Sequence, residues 1–354
     1  MTKKPSAVLL TRLQRIEAPF MASFLPHYLD RLGFEHVQFI YGDENDPKWL
    51  TDYIKSSGYG DRTSLLIPDQ HADIHTILNF PIPELSRRFD WIVFADMDEY
   101  LYLGGESIAD VLALHWQKKV VHFRWFMASS GINAPADAPQ LLQSASIFRK
   151  RFSKTAFQPQ GISHIDDHEP FWKQGPDKSE IKLYEILSPA EHPCFYYHFC
   201  SRGLFDQLMK CIYFNSGSRN PKTANHPLLR EFLAREGDVA SINQVPTRFL
   251  ILMMQQKEDQ SSDPVISEIC RHGQQIFSGM RFDLPMLNEM MLEGLELLEL
   301  PGTTINAIMD QELLQTCLQR ITDRFWDESM LHDLRFDNYL TTLRKWRRRS
   351  SRRA

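Results

Sequence analysis

The sequence lacks three features that would each indicate a particular class of protein. No run of apolar residues approaches the roughly 20 that a membrane-spanning helix needs. The five cysteines are odd in number and form no CxxC pair, which argues against a disulfide framework or a zinc ribbon. Internal repeats and low-complexity segments do not stand out. The 354 residues, of which 43% are hydrophobic, instead predict a globular protein of about two domains.

Charge and the first residues predict where the protein acts. Met1 to Ser6 leads into a strand-like segment and not into a secretory leader, so we expect a cytoplasmic protein. Residues 344–353 contain seven of the 40 Lys and Arg residues, although the formal net charge of the chain is −5. This basic tail predicts peripheral contact with a phosphate-bearing surface, such as the inner face of the membrane. The alternative is a solvated helix end, and no nucleic-acid partner is expected.

The fold class follows from alternating strand-like and helix-like patterns over the first 130 residues, which predict an α/β domain with a mostly parallel sheet. Apolar residues from Glu17 to Leu32 recur at helical spacing, and Gly33 can take the left-handed closing position. The composition becomes polar between Asn215 and Asn225, and helical periods follow. We therefore predict an α/β domain of residues 1–215 and a helical region of residues 216–354. The predicted strands are Ala7 to Leu10, Val37 to Tyr41, Ser64 to Ile67, Trp91 to Ala95, Val120 to Phe126 and Ser146 to Lys150.

The strongest functional signal is Asp96-Met97-Asp98, which follows a continuous apolar run. Residues i and i+2 at a strand end point to the same side, so the two carboxylates could converge beyond the sheet. Such close anions repel each other, and a hard divalent cation, Mn²⁺ or Mg²⁺, would relieve the repulsion and still accept phosphate oxygens. Glu99 adds a third carboxylate. The alternative to a metal site is a solvated acidic turn.

A different chemistry is possible at the same residues. Haloacid-dehalogenase-type phosphatases also end a buried strand in DxD, where the first aspartate, here Asp96, attacks phosphorus. Their pattern continues with Gly or Val and then Thr or Ser, whereas Glu99-Tyr100-Leu101 follows here. The sequence departs from the phosphatase pattern at this point.

Several segments stand in an order that is typical of one enzyme family. They include Asp90 to Leu101, with the pattern DWI…D-x-D-E-Y-L, and Arg15 to Glu17 with Phe24 to Phe34. These segments resemble the signature DWI…D-x-D-E-[FY]-L and the opening segment of GT-A glycosyltransferases, in the branch related to families 2 and 92. His164 to Pro170 resembles the segment that supplies a metal-binding histidine, and His198 to Arg202 resembles a later basic element. The resemblance covers roughly residues 7 to 215 and implies a GT-A fold.

The resemblance also implies a reaction and a cofactor. It implies an inverting, hexosyltransferase-type enzyme that moves a sugar from a nucleotide donor, UDP-linked, to a carbohydrate or glycolipid acceptor in surface polysaccharide or lipopolysaccharide synthesis. Mn²⁺ or Mg²⁺ would be held by Asp96, Asp98 and His168, with His164 as the alternative histidine. Asp167 would be the base that deprotonates the acceptor, with Asp166 and Glu169 beside it as alternatives. A binding protein without turnover is the remaining alternative.

The resemblance further implies contacts to the nucleotide. Asp96 would hold the ribose, and further positive charge on the phosphates would come from three basic residues. The implied nucleotide-site residues are Thr11, Glu17, Asp43, Asp96, Lys154, Arg202 and Lys210.

Overall fold

The computed structural model describes most of the first 202 residues and part of a later helical region. The described residues are 4–41, 48–67, 78–130, 145–165, 169–184, 193–202, 268–269, 271–273, 276, 282–297 and 299–300. The predicted boundary near residue 215 lies outside them. The division into residues 1–215 and 216–354 therefore stays a prediction.

The described residues form an α/β fold around a mixed sheet, so the predicted fold class is confirmed. The strand order is β3-β2-β1-β4-β7-β6-β11-β5, with β10 paired to β6, and β8 and β9 form a separate hairpin. The strands are β1 (Ala7–Leu13), β2 (His36–Tyr41), β3 (Thr63–Leu66), β4 (Trp91–Phe94), β5 (Glu99–Leu103), β6 (Val120–Ser130), β7 (Ala145–Phe157), β8 (Ile162–Ile165), β9 (Pro170–Trp172), β10 (Ile181–Tyr184) and β11 (Cys194–Arg202).

The sheet has a parallel half and a mixed half. Strands β3, β2, β1 and β4 pair in parallel, which confirms the prediction for this half. Among the described strands most pairs of the sheet are parallel, as predicted, but from β4 onward the sheet is mixed. There β7 is antiparallel to both β4 and β6, and β11 is antiparallel to β5, whereas β10 and β11 pair in parallel with β6. Two of these antiparallel pairs, β4–β7 and β5–β11, join strands that are far apart in the chain, and local periodicity carries no information about such pairing.

Apolar side chains from the central strands form a core on each face of the sheet. Leu9 and Val93 lie in one cluster, whereas Leu10 and Phe94 lie in the other. This alternation with period two is expected of strands that are buried on both faces. All four residues of β4 are buried, as the continuous apolar run predicted.

Helices of one to a few turns connect the strands. The segment from Glu17 to Leu32, predicted as one amphipathic helix, is helical but divided into three parts with different hydrogen-bond spacing. A 3₁₀ segment (Arg15–Phe20) precedes α1 (Met21–Leu25), and a π-type segment (Pro26–Arg31) follows it. Pro19 and Pro26 account for the breaks, since proline cannot donate the helical N–H bond. Gly33 has φ 71°, which confirms the left-handed closing position.

The remaining helices are α2 (Lys48–Ser56), α3 (Ile82–Arg88), α4 (Ile108–Ala113) and α5 (Leu284–Leu297). Helix α5 belongs to the predicted helical region and packs against the α/β part of the chain. The Phe282 ring lies edge-on to Phe20 at 4.8 Å, and Tyr102 Oη lies 2.7 Å from His272 Nδ1. Among the described residues, no helix is both long and apolar enough to cross a bilayer.

The buried His27 gives a pH-dependent contribution to stability. Its Nε2 donates to the Leu101 carbonyl at 2.9 Å, and burial lowers its pKa from 6.5 to about 3. The unfolded chain therefore binds a proton that the folded chain does not, so stability falls as the pH drops from 6.5 toward 3, by about 1.4 kcal/mol per pH unit. We expect His27→Gln, which keeps a donor but does not titrate, to reduce this slope in urea unfolding measured between pH 6.5 and 4.

His164→Gln is the matched control, because His164 is exposed and stacks on Phe171. Equal slopes for His27→Gln and the unmodified protein would contradict the assignment of the slope to His27.

Candidate functional site

Charged side chains from three neighbouring strands meet where β4 ends. The Asp96 carboxylate contacts two cations, with Oδ1 2.9 Å from the Arg12 guanidinium and Oδ2 2.9 Å from Lys154 Nζ. Lys154 is fully buried, whereas the side chains of Arg12 and Asp96 are 31% and 23% exposed. The site therefore contains a fixed pair of cations around one partly exposed carboxylate.

The strand registers explain why these residues meet. Leu10 of β1 pairs with Phe94 of β4, so Arg12 and Asp96 each follow two residues beyond a paired position. On the other side, Val93 of β4 pairs with Ala156 of antiparallel β7, which brings Lys154 to the same end of β4. Both neighbours of β4 thus supply a cation to the strand end.

The buried Glu99 completes the charge network. Its Oε2 accepts the Asp96 backbone N–H at 2.8 Å and lies 3.4 Å from Lys154 Nζ. Burial raises the pKa of Glu99 to about 7; Lys154 opposes this effect, and Asp96 adds to it. For Lys154, burial alone would lower the pKa, but Asp96 and Glu99 raise it above its ordinary value.

The pKa of Asp96 moves in the opposite direction to that of Glu99. Removal from water would raise the pKa of Asp96, but Lys154 and Arg12 outweigh that effect and hold the pKa well below its usual range. Because its pKa is so low, Asp96 is an anion at any physiological pH.

The ammonium of Lys154 also lies 4.3 Å from the centre of the Phe94 ring, an attractive cation–π geometry.

His198 of β11 holds the second aspartate. Its Nε2 lies 3.4 Å from Asp98 Oδ1, and its Nδ1 lies 3.9 Å from Glu99 Oε1. Removal from water would lower the pKa of His198, but Asp98 and then Glu99 raise it above its ordinary value. The next residue, Phe199, donates its backbone N–H to the Asp98 carbonyl at 2.7 Å. Strand β11 therefore fixes both the main chain and the side chain of Asp98.

The path of the chain at the two aspartates differs from the prediction. We expected them at a strand end with side chains pointing the same way, but β4 ends at Phe94 and a turn follows, closed by the bond from Glu99 N–H to the Asp96 carbonyl at 3.0 Å. Asp96 is bound from the β1 and β7 side, and Asp98 from the β11 side. The alternation rule fails here because it applies only to extended backbone.

A divalent cation fits part of this donor set. Within the described part of the chain, no three His, Cys, Asp or Glu side chains converge in a way that could hold a metal ion. Asp98 and, in its deprotonated form, His198 provide one carboxylate and one imidazole, which suits an ion that completes its coordination with water and substrate phosphates. Asp96 could bind the ion only by exchanging a contact with Arg12 or Lys154.

The structure places some of the predicted nucleotide-site residues in the interior. Thr11 is fully buried in β1. Glu17 is 8% exposed, and its Oε2 accepts the Gln14 backbone N–H at 3.1 Å, so it closes the turn after β1.

The other predicted nucleotide-site residues differ in where they lie. Lys154 is at the site, but its ammonium faces the carboxylates of Asp96 and Glu99. Arg202 ends β11, and only its backbone is described. Asp43, Asp167, His168 and Lys210 lie outside the described residues, as does Asp166.

Sequence reasoning missed two residues of the site, Arg12 and His198. Arg12 has the same parity in β1 as Leu10, so the period of two places it on the face that carries Phe94. His198 was part of a recognised segment, and its place opposite Glu99 required the β5–β11 register. The position of Arg12 could therefore be read from the alternation within β1, whereas the position of His198 depended on the pairing of two distant strands.

Comparisons with known proteins give structural neighbours only. No protein-family model matches the chain, and no curated protein matches it. The chain is similar in structure to S. aureus TarS residues 1–349 in a crystal structure with UDP, with 12% identity, 90% of each chain covered and a TM-score of 0.32. It is also similar to the S. cerevisiae mannosyltransferase Ktr4p, with 13% identity, 34% of this chain and 39% of that chain covered and a TM-score of 0.25.

The bifunctional glycosyltransferase WbbM is a further neighbour. It shows 12% identity, 35% of this chain and 24% of that chain covered, and a TM-score of 0.24.

Proposed function

We propose that the protein is a glycosyltransferase of GT-A type that moves a sugar from a nucleotide donor, UDP-linked, to a carbohydrate or glycolipid acceptor. The observation that carries the proposal is the turn from Asp96 to Asp98 at the carboxyl end of the central strand β4, where cations from both neighbouring strands contact Asp96. Open α/β sheets bind their ligands at this edge. Surface polysaccharide or lipopolysaccharide synthesis would be the setting.

The charges of the site suit a reaction that releases a nucleoside diphosphate. Breaking the sugar–phosphate bond leaves extra negative charge on the pyrophosphate, and catalysis requires positive charge placed there in advance. Arg12, about one-third exposed, can offer its guanidinium to an anion at the mouth of the site. The fully buried Lys154 acts through Asp96, whose carboxylate it keeps ionised and in place for a ribose hydroxyl.

A divalent cation is part of the proposal, because Asp98 and His198 supply a carboxylate and an imidazole at one point. When bound, Mn²⁺ or Mg²⁺ would offset the charge of the departing diphosphate. His168 and the base Asp167 remain predictions from the resemblance, and so do inversion and the membrane contact of the basic tail. The protein's own contribution is to hold Asp98 through β11, by the His198 side chain and the Phe199 amide.

The phosphatase alternative is disfavoured by the partners of Asp96. A nucleophilic carboxylate needs an oxygen lone pair directed at phosphorus, but both oxygens contact cations that hold the pKa well below its usual range. These cations reduce the basicity of the carboxylate and hence its nucleophilicity.

The test is thermal unfolding with nucleotides, with and without Mn²⁺. A ligand at about 100 times its dissociation constant stabilises the folded state by about 2.7 kcal/mol, so we expect UDP with Mn²⁺ to raise Tm by about 5 °C or more. ADP and GDP should raise it less, and UDP-sugars that stabilise the protein should also be hydrolysed slowly. Asp61→Asn, which changes an exposed acid in the short helix before β3, serves as the control.

Three outcomes decide between the alternatives. Metal-dependent stabilisation by UDP together with UDP release from a UDP-sugar supports the transferase. Stabilisation without turnover of any UDP-sugar supports a binding protein. Release of phosphate from a monoester without any effect of UDP supports the phosphatase and removes the proposal.

A further inference from the structure

Helix α5 lies against the turn that connects the candidate site to the rest of the fold. This turn, called the β1 turn here, is the segment Arg15–Phe20 that follows β1 directly. It carries Glu17 and begins three residues after Arg12. Only Leu13 and Gln14 separate the β1 turn from Arg12, which contacts Asp96.

Three contacts join α5 and the residues before it to both ends of the β1 turn. Arg15 and Glu293 form an ion pair at 2.7 Å, with their side chains 35% and 36% exposed. At the other end, the Asp283 backbone N–H donates to the Pro19 carbonyl at 2.8 Å, and Phe282 packs edge-on against Phe20 at 4.8 Å.

Asp283 links the start of α5 to the β1 turn. Its Oδ1 accepts the Met286 backbone N–H at 3.0 Å, as a helix-capping aspartate does. Its own backbone N–H donates to the Pro19 carbonyl of the β1 turn. Leu287, Met290, Met291 and Leu295 are buried, so the helix is anchored along its length. The β1 turn is thus held against a fixed helix and not only by its own bonds between Gln14 and Glu17.

We propose that α5 positions the β1 turn for the nucleotide donor, with Glu293 as a positioning residue that acts through Arg15. The proposal rests on the proposed function, because the donor is taken to bind beside Arg12. It makes the late helical segment part of the donor site, although the sequence places it about 270 residues beyond the turn.

The first test measures UDP binding by calorimetry in the full chain with Mn²⁺. Glu293→Ala and Arg15→Ala should each weaken UDP binding about fivefold, the scale of one partly exposed ion pair. The charge-exchanged variant Arg15→Glu/Glu293→Arg should restore the affinity to within about twofold. Glu296→Ala, an exposed acid on the same helix, is the control and should bind UDP normally.

Comparison of binding with stability separates positioning from a general structural role. Glu293→Ala should change the Tm of the ligand-free protein no more than Glu296→Ala does, while its UDP affinity falls. Unchanged UDP affinity in Glu293→Ala, or a loss that the charge exchange leaves unrepaired, would overturn the proposal.

The second test does not depend on the donor. Hydrogen exchange of the Ile16 to Ala18 amides, measured without ligand, should be faster in Glu293→Ala than in the unmodified protein and in Glu296→Ala. Equal protection of these amides in all three proteins would contradict the inference that α5 restrains the β1 turn. Failure of the unmodified protein to bind any nucleotide would instead remove the proposed function, and this exchange measurement would still decide the structural part.

Discussion

Replacing Lys154 with methionine is expected to destabilise the protein by about 3–5 kcal/mol, the cost of removing one partner from a buried ion pair. Lys154 is fully buried, lies 2.9 Å from Asp96 and 3.4 Å from Glu99, and also packs on the Phe94 ring. Methionine preserves most of the volume and removes the charge, so the loss reports on electrostatics more than on packing. Urea unfolding followed by circular dichroism measures it.

The control for Lys154 is Lys173→Met, since Lys173 is exposed. That change should alter the free energy of unfolding by less than about 0.5 kcal/mol. The double variant Lys154→Met/Glu99→Gln should lose less than the sum of the two single changes, because it removes both members of a buried pair. If Lys154→Met lowers the free energy of unfolding as little as Lys173→Met does, the charge network of Lys154, Asp96 and Glu99 does not stabilise the fold.

Replacing Asp98 with asparagine is expected to lower the rate of sugar transfer at least about 100-fold while the protein stays folded. The change removes one negative charge and keeps the shape, and preorganised charges in active sites contribute about this much. The Phe199 amide still binds the carbonyl of residue 98, so the turn keeps its path. Turnover of a UDP-sugar and Mn²⁺ binding should fall together, and Tm should change by only a few degrees.

Asp96→Asn provides the contrast for Asp98→Asn. It leaves Arg12 and Lys154 without their shared counter-ion, so it should cost more stability than Asp98→Asn and should retain Mn²⁺ binding. Full transfer activity in Asp98→Asn would be incompatible with the proposed function. Loss of Mn²⁺ binding in Asp96→Asn, with binding retained in Asp98→Asn, would mean that Asp96 and not Asp98 is the metal ligand.

The parallel half of the sheet could be predicted because its signals are local. The apolar run of β4 is buried on both faces, and β2 begins one residue from its predicted start. Strand β1 runs three residues beyond the predicted Leu10, since Thr11 and Arg12 still pair with β2 despite their polarity. The pairing in the mixed half could not be predicted, because a pair such as β5 and β11 joins Glu99 to His198 across almost 100 residues.

The candidate site was also predictable only in part. The acidic turn was recognisable from three adjacent residues, but its partners Arg12 and Lys154 lie 84 and 58 positions away from Asp96. The resemblance indicated Lys154 as a phosphate ligand, and only the packing shows that its ammonium is enclosed by carboxylates and aromatic rings. Burial of a charge depends on all the surrounding strands, so residue type alone does not reveal it.

The contacts of residues 269–297 with the α/β part have a consequence for how the chain folds during synthesis. Tyr102 and Tyr197, which bond to His272 and the Ile269 carbonyl, gain these partners only after the helical region has been made, and the same is true of Phe20. At roughly 5–20 residues per second, the ribosome needs on the order of 5–20 s to pass from Arg202 to Leu297. During that interval a nascent chain that already holds every described strand of the sheet still lacks the partners that cover Phe20, Tyr102 and Tyr197 in the complete fold.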